Sequence, residues 1–409
     1  VVENKPKTLK LVPSLTARRL PDGRFVLTRK FLEGVKELQR FWAGPVAVYM
    51  QNSSAQTGNL DDVSISTTEA EFSLEVLSIP EIARAIVSDD SAVVLLSLDD
   101  FRQTQMWSTC RDHNVTCFYV SEYSLTTRLQ IIKETTANPL KRLRRRFWEN
   151  GQERKRLAAV AGATGVQCNG TPTYNSYKTH SNNALLYFDS RVTRNLLATD
   201  LDIEERLLNF GSRPIRLFFS GRLARIKGAM HLLEVAKELR RLNVDFELTI
   251  CGDGELKNAM LRAIESDRLH HQVKLQGVLD FETQLLPYVR SSVDLFLCCH
   301  PQGDPACTYL ETMSCGVPIA GYENEAFAGV VQSSGSGWLS PLNRPGALAS
   351  MVADIYRSPD SIRSMSFKAL RFAESHTFEK TFCSRIEHLR SGLAHNTGIG
   401  ASHGDPSCA

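Results

Sequence analysis

No apolar run in this 409-residue chain approaches the eighteen or so residues that a membrane-spanning helix needs. Nothing like a signal peptide precedes Leu9, and the chain opens on Val1 rather than Met, which leaves room for a trimmed leader. Charge of one sign is also lacking: 48 Lys and Arg against 45 Asp and Glu leave a formal +3, which by itself gives no ground for a nucleic-acid partner. The first strand candidate, Leu9–Val12, is not followed by the Gly-x-Gly-x-x-Gly turn of a nicotinamide-binding oxidoreductase. Ten cysteines are scattered without the paired spacing of a zinc site; Cys110 with His113, and Cys298-Cys299-His300, come nearest. In a chain of this size they read as reduced core residues of a cytosolic protein rather than a disulfide framework. No short-period repeat is present.

What remains is ordinary globular composition, 42% hydrophobic and 23% charged, in a length that suits two domains of roughly 200 residues each. Apolar runs alternate with helical patterns throughout, which predicts parallel sheets flanked by helices. In the first half the strand candidates are 9–12, 46–50, 72–76, 92–96, 116–120 and 165–169, the last continued by 184–188 after a turn at Gly170 and Pro172. A polar, basic loop is expected at 13–24, a helical pattern from Phe25 through Phe31, Val35 and Leu38, and a second loop at 51–68. Residues 138–163 read as one long helix with a basic run at 141–146, then Phe147-Trp148, then Arg154-Lys155-Arg156. Two readings stay open for it: a solvated face paired with Glu149 and Glu153, or peripheral contact with an anionic membrane surface through 141–156. No recognition motif supports nucleic acid.

The second half carries more chemistry. A strand at 215–219 breaks into Ser220-Gly221-Arg222, with Arg225, Lys227 and Gly228 just beyond, before a helix with Leu232, Val235, Ala236 and Leu239 on one face. In an open α/β sheet ligands sit outside the carboxyl ends of the strands, where a glycine lets backbone approach an anion and the next helix turns its amino end toward it. Arg222 and Lys227 would add fixed positive charge there, which suits a diphosphate. The strand 246–250 closes on Cys251-Gly252-Asp253-Gly254, a further strand at 273–275 closes on Gln276-Gly277-Val278, and the strand 293–298 precedes Asp304 and the Thr308-Tyr309-Leu310-Glu311 segment that ends in Gly316-Val317-Pro318. Strands at 318–320 and 337–339 and a helix from 361 complete this half, and 396–409 reads as a disordered tail.

In this order and at this approximate spacing, the Gly221-Arg222 and Lys227-Gly228 pairs, the Gly252 and Gly277 turns and the Glu311 helix resemble the nucleotide-sugar half of the retaining glycosyltransferases of family 4, also called group 1. The resemblance implies the GT-B fold: α/β, two Rossmann-like doubly wound domains facing each other across a cleft. It divides the chain into an acceptor domain at 1–205, a nucleotide-sugar-binding domain at 206–370, a helix at 371–395 returning to the first domain, and the tail.

It further implies a donor, a UDP-sugar on family frequency, and a glycan, glycolipid or other lipid-linked acceptor on a polysaccharide-type pathway, with no cofactor or metal. Arg222 and Lys227 become the diphosphate clamp, and Glu311 binds the ribose. Gly221, Gly252, Val278, Thr308 and Tyr309 complete the nucleotide-sugar site. Eight positions before Glu311, where the family carries glutamate, stands Gly303; the acid has moved one step to Asp304, which either faces the donor sugar or caps a turn beside Pro305. Where many members carry histidine near the acceptor, the nearest ionisable group is Glu122, and Arg19, Asp22 and Gly23 fall in the acceptor-side loop. A GT-B nucleotide-sugar epimerase and a non-catalytic nucleotide-binding relative are the alternatives.

Overall fold

The computed structural model describes residues 7–53, 62–66, 69–70 and 72–397. The first unit is built on a mixed sheet of β1 (Leu9–Val12), β2 (Thr16–Arg19), β3 (Phe25–Thr28), β4 (Val46–Asn52), β5 (Asp62–Ile65), β6 (Ser73–Val76), β7 (Val93–Ser97), β8 (Thr116–Ser121), β9 (Gly165–Asn169) and β10 (Ala184–Tyr187). Its order is β10-β9-β8-β7-β1-β4-β2-β3-β5, with β6 also paired to β4. The central run is parallel, and β7, β8 and β9 are buried almost throughout, as expected of strands covered on both faces by helices. The second unit has an all-parallel sheet of β11 (Ile215–Ser220), β12 (Phe246–Cys251), β13 (Val273–Gly277), β14 (Leu295–Cys298), β15 (Ile319–Tyr322) and β16 (Trp338–Ser340), ordered β13-β12-β11-β14-β15-β16.

Three local expectations change. Phe25, Val26 and Leu27 do not open a helix; they form β3, paired antiparallel to β2 and to β5. The loop expected at 13–24 therefore contains β2, and the polar stretch at 51–68 contributes the end of β4 and all of β5, while 54–61, 67 and 68 lie outside the described residues. The helix begins only at Arg29, where the Thr28 hydroxyl accepts the Phe31 N–H at 3.2 Å, and it buries Gly34, Val35 and Leu38. Gly170 and Pro172 are not a turn but the first residues of the helix Gly170–Tyr177.

The boundary expected at 205/206 falls inside the helix Asp200–Leu207, which belongs to the second unit. Its Ile203 packs with Leu370, and the buried Arg206 guanidinium donates to the carbonyls of Cys315 at 2.7 Å and Gly316 at 2.6 Å. The chain has thus already left the first unit after β10. It returns later than expected as well, because Phe372 and Ala373 of the helix Pro359–Ser375 still sit in the second core. The helix Phe378–Thr397 then buries Phe378, Phe382, Ile386 and Leu389 in the first core, its Phe382 ring reaching where a Cβ on Gly34 would stand. The tail from 398 on lies outside the described residues. The two crossings are bonded together: the Phe378 N–H donates to the Val192 carbonyl at 2.8 Å, the Arg194 N–H to Glu379 at 3.2 Å, and the Phe188 ring packs edge-on against His376.

Eight cysteines, among them Cys251, Cys298 and Cys307, are unpaired and buried or half-buried; Cys383 departs from the expected reduced state, being disulfide-bonded. Among the described residues no helix is long and apolar enough to cross a membrane, and no group of three or more His, Cys, Asp or Glu side chains could hold a metal ion.

Candidate active site

The ends of β11, β12 and β13 are laced together by backbone. The Gly221 N–H donates to the Cys251 carbonyl at 3.1 Å and the Gly252 N–H to the Gly277 carbonyl at 2.7 Å. At Gly252, φ is +137° and a Cβ would stand 2.0 Å from the Gly221 carbonyl oxygen, so only glycine allows this crossing. The result is a floor of bare backbone beneath a cavity of about 660 Å³, within the size range of small-molecule sites. Gly221, Gly252, Val278, Thr308 and Glu311 line it from the second unit, with the 279–283 segment; Arg29, Lys30, Glu33 and Arg191 close it from the other side.

Glu311 does not point into empty space. Its Oε1 accepts from Arg191 Nε at 2.7 Å, and the Arg191 guanidinium lies 3.8 Å from the centre of the Phe281 ring, so one arginine ties the 279–283 segment to the glutamate. Tyr309 is not part of the cavity wall. Its ring is buried in the second core and its hydroxyl meets His300 Nδ1 at 3.3 Å, because the short helix Thr308–Met313 turns that side inward. Of the backbone amides near that helix start, those of Ala306 and Tyr309 are already bonded to the carbonyls of Asp304 and Ala306.

The two cations of the sequence motif differ in state. Arg222 is exposed and its guanidinium has no hydrogen bond or ion pair among the described residues, while Lys227 donates to Asp304 Oδ2 at 2.6 Å. Burial works to raise the Asp304 carboxyl; Lys227, with Arg222 behind it, outweighs burial and holds the carboxyl below its usual range. Neither cation lines the large cavity itself. Burial first, and then Lys227, pushes the neighbouring His300 down to about 3, so its imidazole is neutral. The loop bearing Asp304 is stapled across the cleft: the Gly303 carbonyl accepts from the Thr127 hydroxyl at 3.1 Å, and the Gly303 N–H donates to Gln130 at 3.0 Å.

A second cavity of about 490 Å³ lies in the first unit at the carboxyl ends of β1, β7 and β8. Leu11, Leu38, Leu95 and Val120 give it an apolar wall, and Asp99, Glu122, Tyr123 and Asp189 a polar end. Glu122 accepts from Asn169 Nδ2 at 2.7 Å and from the Tyr187 hydroxyl at 3.3 Å. Burial, then the charges of Asp189 and Asp99, push its carboxyl up to about 7. Asp99 also fixes the turn that presents it, accepting the backbone N–H of Glu122 at 2.7 Å and of Tyr123 at 3.3 Å. Arg19, Asp22 and Gly23 are not here: they sit at the end of β2 and in the turn before β3, where Asp22 accepts the Arg24 N–H, and they line neither cavity. The loop residues that do line it are Pro13, Ser14 and Leu15.

Lys30 belongs to both cavities. Its ammonium pairs with Asp189 and also donates to the sulfur of Cys307 at 2.8 Å. Burial pushes the Cys307 thiol up to about 12, so the sulfur accepts as a neutral thiol. Lys30, Asp189 and Arg191 carry no local sequence signal, since a helix start and the crossing between the units bring them in. Asp99 and Asn169 were findable by the rule that points to Glu122, because each follows or ends a buried parallel strand at its carboxyl end.

Residues 202–371 match the family model described as glycosyl transferases group 1. The amylovoran biosynthesis glycosyltransferase AmsK of Erwinia amylovora is 28% identical over 166 residues, 38% of this chain and 40% of its own. A D-inositol 3-phosphate glycosyltransferase of Paenarthrobacter aurescens is 24% identical over 195 residues, 45% and 46%. The match thus spans less than half the length of these relatives. Among solved structures, Anabaena HepE in complex with UDP superposes with a TM-score of 0.66 at 12% identity, covering 95% of this chain and 100% of that one. Sucrose-phosphate synthase from Thermosynechococcus elongatus gives 0.63 at 14%, covering 95% and 99%. The chain has the GT-B fold, and its residues 202–371 are similar to the group 1 glycosyltransferases.

Proposed function

We propose that the protein transfers a hexosyl group from a nucleotide diphosphate sugar to a hydroxyl of an acceptor held in the first unit, with retention at the anomeric carbon. The observation that carries this reading is the 660 Å³ cavity, on which Gly221, Gly252, Val278, Thr308 and Glu311 converge from separate segments. A UDP-sugar is the preferred donor, in keeping with the UDP and UDP-glucose bound by HepE. In this reading Glu311 holds the ribose, the backbone at Val278 meets the base, and the floor at Gly221 and Gly252 lets the diphosphate lie close.

Breaking the bond from the anomeric carbon to the diphosphate puts negative charge on phosphate and positive charge on the sugar. Arg222 and Lys227 answer the first without a metal ion. Asp304 answers the second: it holds Lys227 in place through one oxygen and keeps its other, Oδ1, without a hydrogen-bond partner among the described residues. Glu122, at the polar end of the second cavity, accepts the proton of the acceptor hydroxyl. The acceptor is a glycan or lipid-linked glycan of a polysaccharide-type pathway, in keeping with the name of the amylovoran biosynthesis relative, and the reaction takes place on the cytoplasmic side with the segment 141–156 in contact with a membrane.

The test is thermal stability of wild type and Arg222→Ala with UDP, GDP, ADP and NAD. A ligand at about a hundredfold over its Kd adds about 2.7 kcal/mol. Stabilisation of the wild type by one nucleoside diphosphate, lost in the variant, supports the clamp. Stabilisation by NAD alone, or by none of the four, overturns the reading.

A further inference from the structure

The helix Pro139–Gly162 wears its charges on the inside. The side turned to the protein carries Glu149, Gln152, Glu153 and Arg156, all buried, with Arg156 paired to Glu149 at 2.7 Å and to Glu153 at 3.1 Å. The basic run is thus not a face paired with Glu149 and Glu153, because those two acids are taken up beneath it. The opposite side presents Leu140, Leu143 and Phe147, 77%, 51% and 70% exposed, at the three- and four-residue spacing that puts them in one stripe. Trp148 stands beside them, and its ring meets that of the equally exposed Phe101 edge-on at 5.4 Å. Around this apolar face Lys141, Arg144 and Arg146 are exposed and make no ion pair among the described residues, while Arg142 and Arg145 fold back onto Thr136.

From this face we infer a docking surface for an anionic lipid bilayer. An apolar stripe rimmed by unpaired cations fits an interface where acyl chains lie beneath negative headgroups. A second copy of the chain fits poorly, since a two-fold contact would set this cationic patch against itself. Five cations within six positions, in a chain whose whole formal charge is +3, mark the patch as a local concentration.

The surface also lies beside the acceptor cavity. Phe101 follows β7 and Leu15 follows β1, and these strands are parallel neighbours, so both residues leave the same edge of the sheet. Leu15 is 41% exposed and lines that cavity, as does Asp99, two positions before Phe101. Asp99 is further joined to the helix through Arg128, which ion-pairs with it and reaches Glu149 at 3.7 Å. Resting on the proposed transfer reaction, this arrangement brings the largely apolar cavity to an acceptor whose own apolar anchor lies in that bilayer.

The experiment is co-sedimentation of the full chain with phosphatidylcholine vesicles, with and without phosphatidylglycerol, for wild type, the double variant Leu143→Ser/Phe147→Ser and the double variant Arg144→Glu/Arg146→Glu. Wild type should bind the anionic vesicles, release with added salt, and ignore phosphatidylcholine alone. Each variant should lose at least about tenfold in partition, with its thermal unfolding and its stabilisation by UDP unchanged. Equal binding of wild type to both vesicles, or variants that bind as wild type does, overturns the inference. So does a lipid-free dimer that Leu143→Ser/Phe147→Ser breaks, which would make the face a protein interface. Vesicle binding is read without donor or acceptor, so its failure leaves the transfer reaction standing, whereas loss of UDP stabilisation strikes the reaction alone.

Discussion

Lys227 and Asp304 are bonded to each other at 2.6 Å, and both side chains are largely buried, whereas Arg222, five residues before Lys227, stands in solvent. Removing one member of a buried pair leaves the other charge without compensation. Lys227→Ala should therefore cost about 3 kcal/mol in urea unfolding as well as abolishing turnover. Arg222→Ala should change stability by less than about 0.5 kcal/mol. It should still lower kcat by about a hundredfold, because its charge counts most against the departing diphosphate. Equal losses of stability in the two variants would contradict this division of roles.

Glu122 gives a pH signature with a definite sign. Its carboxyl is raised to about 7 in the fold, chiefly by burial, against about 4.3 in an unfolded chain. Between those values the folded state binds the extra proton, so this group's contribution to stability falls as pH rises and is fully lost above about 7. Glu122→Gln should be more stable than wild type at pH 8 and should lose that advantage by pH 4. If Glu122 is the base, wild-type kcat rises with pH through about 7, and the variant shows a flat profile lowered by about 10² or more.

Glu311 is held by Arg191 at 2.7 Å. Glu311→Gln keeps the size of the side chain and removes its charge. A residue that grips the ribose equally in ground and transition states should show the change in KM for the donor, up by about tenfold, with kcat little altered. Steady-state kinetics at varied donor concentration separate the two; a fall in kcat alone would move Glu311 from binding to chemistry.

Gly252 at the cavity and Gly277, whose carbonyl it bonds, separate close approach from backbone conformation. At Gly252 a Cβ would strike the Gly221 carbonyl oxygen at 2.0 Å, whereas at Gly277, with φ +81°, nothing stands within 4 Å. Gly277→Ala should cost about 1 kcal/mol from its left-handed conformation alone. Gly252→Ala should cost several times that, or leave little folded protein, as urea titration reports.

The second half was the more legible one. Every strand expected there was found, since β11, β14 and β15 are largely buried apolar runs and glycine turns close β11, β12 and β13. The antiparallel margin of the first sheet was not. Phe25, Val26 and Leu27 fit a helical spacing with Phe31 as well as they fit a strand, and only pairing with β2 and β5 decides. Asp62–Ile65 is half-buried throughout, with no alternation to betray it. Of the residues expected at the site, Gly221, Gly252 and Val278 at strand ends do meet at one cavity, because strand direction carries them to the same edge of the sheet. Arg19, Asp22 and Gly23 were misjudged because the hairpin carries them past the cleft, and Tyr309 because a turn of the short helix points it into the core. Lys30 and Arg191 act through contacts made between the units, and the periodicity of either segment holds no trace of them.

The chain passes between its two halves twice, and the passages are tied to one another where the Phe378 amide meets the Val192 carbonyl. Two links at one place would act as a door hinge in any opening of the halves, resisting sliding and leaving a swing about a single short line. Everything that spans the gap must then part together, the Lys30 ammonium from Cys307 and the Thr127 hydroxyl from the Gly303 carbonyl alike. Both chambers share that gap through Lys30, so in the proposed reaction one swing would admit both reactants and release both products.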